Sequence, residues 1–356
     1  MIQPPKVHLL ILIPVFCMGV RVATAQGKRN GYFDRGMHTY RGDINPFRSH
    51  RYWTVGGGLY TLQYSGDLTS SNLPVGSTRA LLRGGLGAFA AYKAAPRFSI
   101  QGELMLGRIA GDDFVSSSID DPVSSGLYIR NLSFRNNLVE LSLTGRLDLI
   151  ANRRPYAQRP RLNPYLRGGI GLLWHNPQGK VPEFRIDGAR FENAGTWVAL
   201  RPLGTEGQQS PYYSMRTYSR FVFVTPFGGG IEFRINTRTS LQAELIYHYT
   251  FTDYLDDVSG KYVDLGALDG DLAKAMSDRS REEKAVMSGE MRDLEAIQSR
   301  VNVITYVSRF DGQTYTVFSG FGSEGSQRGG DSNDLFFSAS VKLAYILNKK
   351  GSYGSR

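Results

Sequence analysis

Cysteine is nearly absent: Cys17 is the single one among 356 residues. Long apolar runs are missing as well. Beyond the extreme N-terminus no stretch approaches the ~18 consecutive apolar residues of a membrane-crossing helix, which excludes a helical membrane protein. A membrane barrel stays open, because its apolar residues alternate with polar ones. Histidine is scarce, with five residues, and no HExxH or similar ligand pair occurs. Acidic residues are outnumbered, 32 against 42 Lys+Arg, for a formal net charge of +10. Such a balance suits nucleic acid or anionic lipid without choosing between them. Charged residues at 21%, with 20 Tyr and 19 Phe, argue against disorder.

Residues 1–25 read as a secretory signal peptide. Lys6 supplies the positive start, Leu9 to Phe16 the short apolar region, and Ala23-Thr24-Ala25 a small-x-small cleavage site before Gln26. Val15 and Phe16 precede Cys17, so no lipoprotein cleavage is expected. Removal takes away Lys6, Arg21 and the only cysteine, leaving a charge of +8 and no means of forming a disulfide or thiolate metal site.

Past an extension over 26–51, period-two alternation dominates. In the segment 138–149, Val139, Leu141, Leu143, Leu147 and Leu149 alternate with Glu140, Ser142, Thr144, Arg146 and Asp148. Successive strand side chains point to opposite faces, so one face is oily and the other ionic. Segments 98–109, 239–249 and 334–347 repeat the plan, and Gly-rich runs over 52–65, 79–92, 164–174 and 221–234 complete about eight strands. Their length suits a bilayer crossed at a barrel's tilt, whereas strands of soluble sandwiches run nearer ~5–6 residues. Links at 93–97, 150–163 and 235–238 are short, while those at 66–78, 110–137, 175–220 and 250–333 are long. Strict alternation of short and long places every long loop on one side, as in outer-membrane barrels and unlike a Greek-key sandwich. The expected fold is an all-β, transmembrane, antiparallel up-and-down barrel over 52–347 with a tail over 348–356.

Alternation sends Arg83, Arg146, Arg167, Arg234 and Lys342 inward together with Glu103, Glu140, Asp148, Glu232 and Glu244. A small barrel fills its interior with side chains, and buried charges are tolerable when paired. The expectation is a closed, ion-paired lumen without a pore. In the last long loop, Met287, Met291, Leu294, Ile297 and Val301 recur at helical spacing, predicting one helix over 278–301 as a solvated cap.

Other patterns carry less. Gly85-Leu86-Gly87-Ala88-Phe89-Ala90 matches G-x-G-x-x-A but lacks a following helix, so the glycines read as relief of crowding in a curved strand. His248 is the one histidine weighed as partner to a serine in an outer-membrane lipid-modifying enzyme. Arg153, Arg154, Arg159 and Arg161 fall in a short turn and read as headgroup or periplasmic contacts, not nucleic-acid readers. Asp253, Asp256, Asp257 and Asp264 follow the seventh strand closely enough to suggest calcium. Their spacing is not that of an EF-hand, and Asp and Ser also initiate turns. No cofactor and no catalytic residue is expected.

Several separated motifs are held in order along the chain: Gly58-Leu59-Tyr60, Tyr64-Ser65-Gly66-Asp67-Leu68, Gly107 to Asp113, Asn131 to Arg135, and Asn163 to Leu166. Pro202 to Gly207, Pro226-Phe227-Gly228 and the block Thr252 to Gly260 follow. In this ordered set the chain resembles the PorG-like (DUF6089-like) family of outer-membrane proteins associated with the type IX secretion system. The resemblance implies a non-enzymatic subunit in the outer membrane of a Gram-negative bacterium. It implies as partners the outer-membrane lipid, a periplasmic ring of a lipoprotein and its partner subunit, and the translocon barrel. It singles out Asp253, Tyr254, Leu255, Asp256, Asp257, Ser259 and Gly260 as a partner-binding or structural motif. A generic structural or adhesion barrel is the rival reading.

Overall fold

A computed structural model describes residues 51–69 and 81–347. The signal segment, most of the 26–51 extension, Cys17, His38, His50 and the 348–356 tail lie outside the described residues. Among the described residues there are eleven strands: β1 (Tyr52–Ser65), β2 (Arg83–Lys93), β3 (Phe98–Asp112), β4 (Ser133–Asp148), β5 (Leu162–Lys180), β6 (Trp197–Ala199), β7 (Phe221–Arg234), β8 (Thr239–Thr250), β9 (Val303–Val307), β10 (Thr314–Phe318) and β11 (Leu335–Leu347). Eight of them close into one antiparallel barrel. Each of β1 to β4 pairs with its successor, β5 pairs with β7, β7 with β8 and β8 with β11, and β11 returns to β1. Closure leaves no exposed edge, the condition for sheet within lipid. Strand β6 extends the top of β5, while β9 and β10 form a separate hairpin.

The barrel is oily outside and polar within, because strand side chains alternate. Leu59, Leu86, Leu141, Ile170, Phe223 and Leu245 are among the exposed outward residues, and Trp53, Phe98 and Tyr345 mark the short-turn end. Along β4 and β5 this belt runs from Val139 to Leu149 and from Leu162 to Trp174. About ten residues at ~3.3 Å rise and ~40° tilt span ~25 Å, the height of a lipid-facing band. Above it, β4 and β5 continue to Ser133 and Lys180 with polar outward residues: Arg135, Asn137, Asn176 and Gln178. That loss of apolar alternation is why pattern alone starts β4 at 138 and ends β5 at 174.

Glycines at the closing seam are a packing requirement. A Cβ on Gly58 would stand 2.1 Å from the Val341 carbonyl oxygen and 2.6 Å from Lys342 Cα. Gly58→Ala is expected to cost about 1–3 kcal/mol through forced displacement of β11, read as a lowered urea midpoint of the folded barrel in detergent.

The long loops pack into a cap. Leu68, Leu132, Leu200, Leu255, Val258 and Met276 continue the apolar core upward from Leu62, Met105 and Phe336 of the barrel interior. Helix α1 (Ser125–Arg130), helix α2 (Gly270–Ser277) and helix α3 (Leu294–Arg300) all belong to the cap. The expected single helix over 278–301 is not formed: only its end, α3, is helical. Between the helices the chain doubles back around Gly289, at φ +74°. Ala285 N–H donates to Glu290 O, and Arg292 N–H to Glu283 O. Ala285 and Val286 are both buried, adjacent residues that helical spacing would place on different faces.

Candidate functional site

Inside the barrel, charge is organised in layers. In the middle layer, Arg167 Nη1 lies 2.9 Å from both Glu103 Oε2 and Glu244 Oε2, and Lys342 Nζ lies 2.7 and 2.5 Å from the same two oxygens. Two cations thus face two carboxylates. The second oxygens are occupied too: the Tyr60 hydroxyl donates to Glu103 Oε1 at 3.0 Å and that of Tyr165 to Glu244 Oε1 at 2.7 Å. A lower layer toward the short turns sets three cations on two carboxylates, with Lys93 and Arg146 on Asp148, Arg146 also on Glu232, and Arg159 3.9 Å from Glu232. Glu140 takes a third arrangement, accepting from His248 Nδ1 at 2.8 Å.

Eight of the ten residues assigned inward by alternation therefore sit in buried or nearly buried polar layers. Arg83 and Arg234 do not. Arg83 stands at the top of β2, half-buried, and donates to Leu82 O; Arg234 stands at the other end, donating to Ala157 O at 2.9 Å. Their parity is inward, but each occupies a strand terminus, beyond the two layers. Lys93 enters the layers unforeseen, whereas His248 lies on the polar face of its strand, as alternation places it, and meets Glu140 there. Lys93 is the last residue of β2, whereas pattern assigns it to the turn.

A Glu140–His248–Ser338 series is present, with His248 Nε2 2.9 Å from Ser338 Oγ. All three are buried, and the His248 ring stacks on Phe336 at 4.3 Å. Acyl transfer needs a nucleophile that substrate can reach and donors for the oxyanion. Ser338 faces the packed bore, not lipid. The lower mouth cavity, about 40 Å³ and lined by Tyr52, Lys93, Asp148 and Glu232, does not reach it.

The second polar centre lies in the cap and gathers residues that are far apart in the chain. Tyr64 places its hydroxyl 2.6 Å from Asp256 Oδ2 and 2.6 Å from Asp334 Oδ1. Leu255 N–H donates to Asp334 Oδ2 and Val258 N–H to Asp256 Oδ1. One phenol has one proton to give, and two carboxylates compete for it. Burial first, then mutual repulsion, raises the Asp256 carboxyl well above the carboxylate range; burial does the same to Asp334.

Beside them, Asp257 accepts from Thr205 Oγ1 and the Tyr218 hydroxyl, each at 2.6 Å. These bonds hold a non-glycine residue at φ +68°. Arg328 Nη1 bridges Glu206 Oε1 at 2.8 Å and Asp257 O at 2.9 Å. Burial lifts the Glu206 carboxyl to about 7 against the pull of Arg328. Arg130 grips Asp113 with two 2.8 Å bonds and reaches Asp67 O at 2.7 Å. Asn136 Nδ2 holds Leu255 O at 2.7 Å.

The block Asp253–Gly260 is thus the keystone of the cap. Leu255, Asp256 and Asp257 are buried within their own chain, while Asp253, Tyr254, Ser259 and Gly260 are half-exposed. The structural half of the two expected uses fits this placement; a partner would reach only the half-exposed members. The four aspartates considered for calcium do not converge, since Asp264 instead accepts from Gly266 N–H at 2.8 Å. A groove of about 570 Å³ opens on the flank of the cap among Phe184, Arg185, Arg281, Glu282 and Lys284.

No family model matches the chain, and no curated protein does. Among solved structures, it is similar to neisserial surface protein A, at 7% identity over 82% of this chain and 96% of that one, TM-score 0.35. It is similar to the outer membrane protein OprG from Pseudomonas aeruginosa, at 8% over 83% and 96%, TM-score 0.36. It is also similar to a major outer membrane protein from Thermus thermophilus, at 12% over 83% and 99%, TM-score 0.34. The closed eight-strand ladder and the apolar belt themselves give this chain the fold of an outer-membrane β-barrel.

Proposed function

We propose that this chain is a non-enzymatic outer-membrane subunit of the type IX protein secretion machinery, anchoring a periplasmic ring of a lipoprotein and its partner subunit. The observation that carries a scaffold reading is the bore: two ion-paired layers and an apolar core fill it, which supports neither conduction nor turnover. The secretion assignment rests on the motif resemblance. Asp67, Asp113, Asn131, Thr205, Glu206 and Asp257 come from five separate motifs, and their meeting in one cap explains why they would be held together.

The working surfaces are then the two ends. At the short-turn end, the links 94–97, 149–161 and 235–238 contain no Asp or Glu, while Arg97, Arg153, Arg154, Arg161 and Arg238 are exposed. Arg159, from the same turn, is buried and ties it to its neighbour through Thr237 O, Asn236 O and Thr239 O. A rigid cationic rim fits an acidic face on the ring.

Deletion of the gene is expected to stop secretion of type IX cargo, and affinity capture of the barrel to recover ring subunits. Reversal of Arg153, Arg154 and Arg161 to Glu is expected to abolish that capture while the barrel still inserts. Normal secretion after deletion would leave a structural or adhesion barrel, a reading the filled bore and packed cap fit as well. A steady open channel in planar bilayers would remove the scaffold reading altogether.

A further inference from the structure

The outer wall carries a polar patch directly above the lipid-facing belt, and it does not depend on the secretion reading. Register defines its position. Leu106, Val139, Trp174 and Phe221 lie side by side across β3, β4, β5 and β7 and form the last apolar row. The next outward row is Arg108, Asn137 and Asn176, and the one above it brings Arg135 beside Gln178. Two residues along a tilted strand rise ~5 Å, so both guanidinium groups stand where headgroups replace acyl chains.

Each guanidinium is propped by one neutral amide. Arg108 Nε donates to Asn137 Oδ1 at 2.7 Å and Arg135 Nε to Gln178 Oε1 at 2.9 Å. Trp197 backs Arg135, its ring centroid 4.1 Å from the guanidinium carbon. Among the described residues no carboxylate pairs with either arginine, and the terminal nitrogens of both are uncommitted. Arg108 is close enough for its charge to act on Arg135 and on Arg83. Like charges held together, with their orientation fixed and their outer donors unused, are the makings of an anion site. On a surface continuous with lipid, the anion is supplied by the membrane.

We propose that Arg108 and Arg135, backed by Trp197, bind the phosphate monoester of an anionic lipid headgroup in the leaflet on the long-loop side. Asn137 and Gln178 are positioning residues that aim the guanidinium groups outward.

The test places the purified barrel in nanodiscs of phosphatidylcholine containing a phosphorylated lipid A, or the same glycolipid without phosphate. Native mass spectrometry then counts retained glycolipid. Wild type is expected to retain the phosphorylated form, and R108Q/R135Q to hold it roughly thirtyfold more weakly, at about 1 kcal/mol for each charge near the surface. Heat-modifiable migration verifies that the double variant is folded; should it fail, R108Q and R135Q are read singly. Equal retention by folded variant and wild type overturns the proposal, as does equal retention of the dephosphorylated lipid. Inorganic phosphate is the final arm: if it displaces the glycolipid as a free anion of similar affinity, the site is not a lipid site.

Discussion

Lys342→Met is expected to lower the unfolding stability of the barrel by about 3–5 kcal/mol, because removing one partner of a buried ionic group leaves the rest uncompensated. Lys342 is fully buried and touches both Glu103 and Glu244. With methionine in place, Arg167 alone faces two carboxylates, and the layer carries a net negative charge in a medium that solvates it poorly. Methionine fills nearly the same volume, so packing loss is small and the effect reports charge. Neutralising one acid should restore the balance: Glu103→Gln in the Lys342→Met background is expected to recover most of the loss, although Glu103→Gln alone destabilises. Urea titration of the folded barrel, followed by heat-modifiable migration, measures all three variants. Additive losses would show that the layer is not a coupled unit.

Legibility of these layers in sequence is uneven for a physical reason. Parity along a strand tells which face a residue occupies, and that suffices for Glu103, Glu140, Arg146, Asp148, Arg167, Glu232, Glu244 and Lys342. Partner choice depends on the stagger of strands around the barrel, which no single strand encodes. Lys342 and Glu103 are 239 positions apart yet in contact. Parity also fails at strand ends, as Arg83 and Arg234 show, and misses Lys93, which a turn boundary one residue early removes from view.

Loops obey another logic. Met287, Met291 and Leu294 repeat at helical spacing, but burial in the cap is dictated by tertiary neighbours: Met291 is exposed and the adjacent pair Ala285 and Val286 is buried. Ser288-Gly289 is the local sign of a turn. The cap's polar core is legible only as a set of motifs, since Asp67, Asp113, Arg130, Glu206, Asp257 and Arg328 come from four different links.

The same seam that closes at mid-barrel at Gly58 is latched at the top by Tyr64, Asp256 and Asp334, and that latch should respond to pH. Tyr64 lies one residue from the end of β1, Asp334 directly precedes β11, and Asp256 belongs to the cap; the shared proton ties all three together. Asp256 and Asp334 have their carboxyls raised in the folded chain, so above the ordinary carboxylate range the folded state holds protons that an unlatched segment releases. Stability from the latch is complete below that range and falls as pH rises toward the folded values. Each retained proton weighs ~1.4 kcal/mol per pH unit. Amide exchange across 252–260, corrected for the intrinsic rate, is expected to lose protection by up to about tenfold per unit for each retained proton between roughly pH 5 and pH 8. Asp334→Asn supplies permanent donors where the shared proton was and keeps an oxygen for Leu255 N–H. Its protection should therefore be high and fall less steeply with pH, since Asp256 keeps its burial but loses the repulsion of Asp334. A slope in Asp334→Asn as steep as in wild type would place the titrating group elsewhere in the cap, with Glu206 and its carboxyl near 7 the next to change.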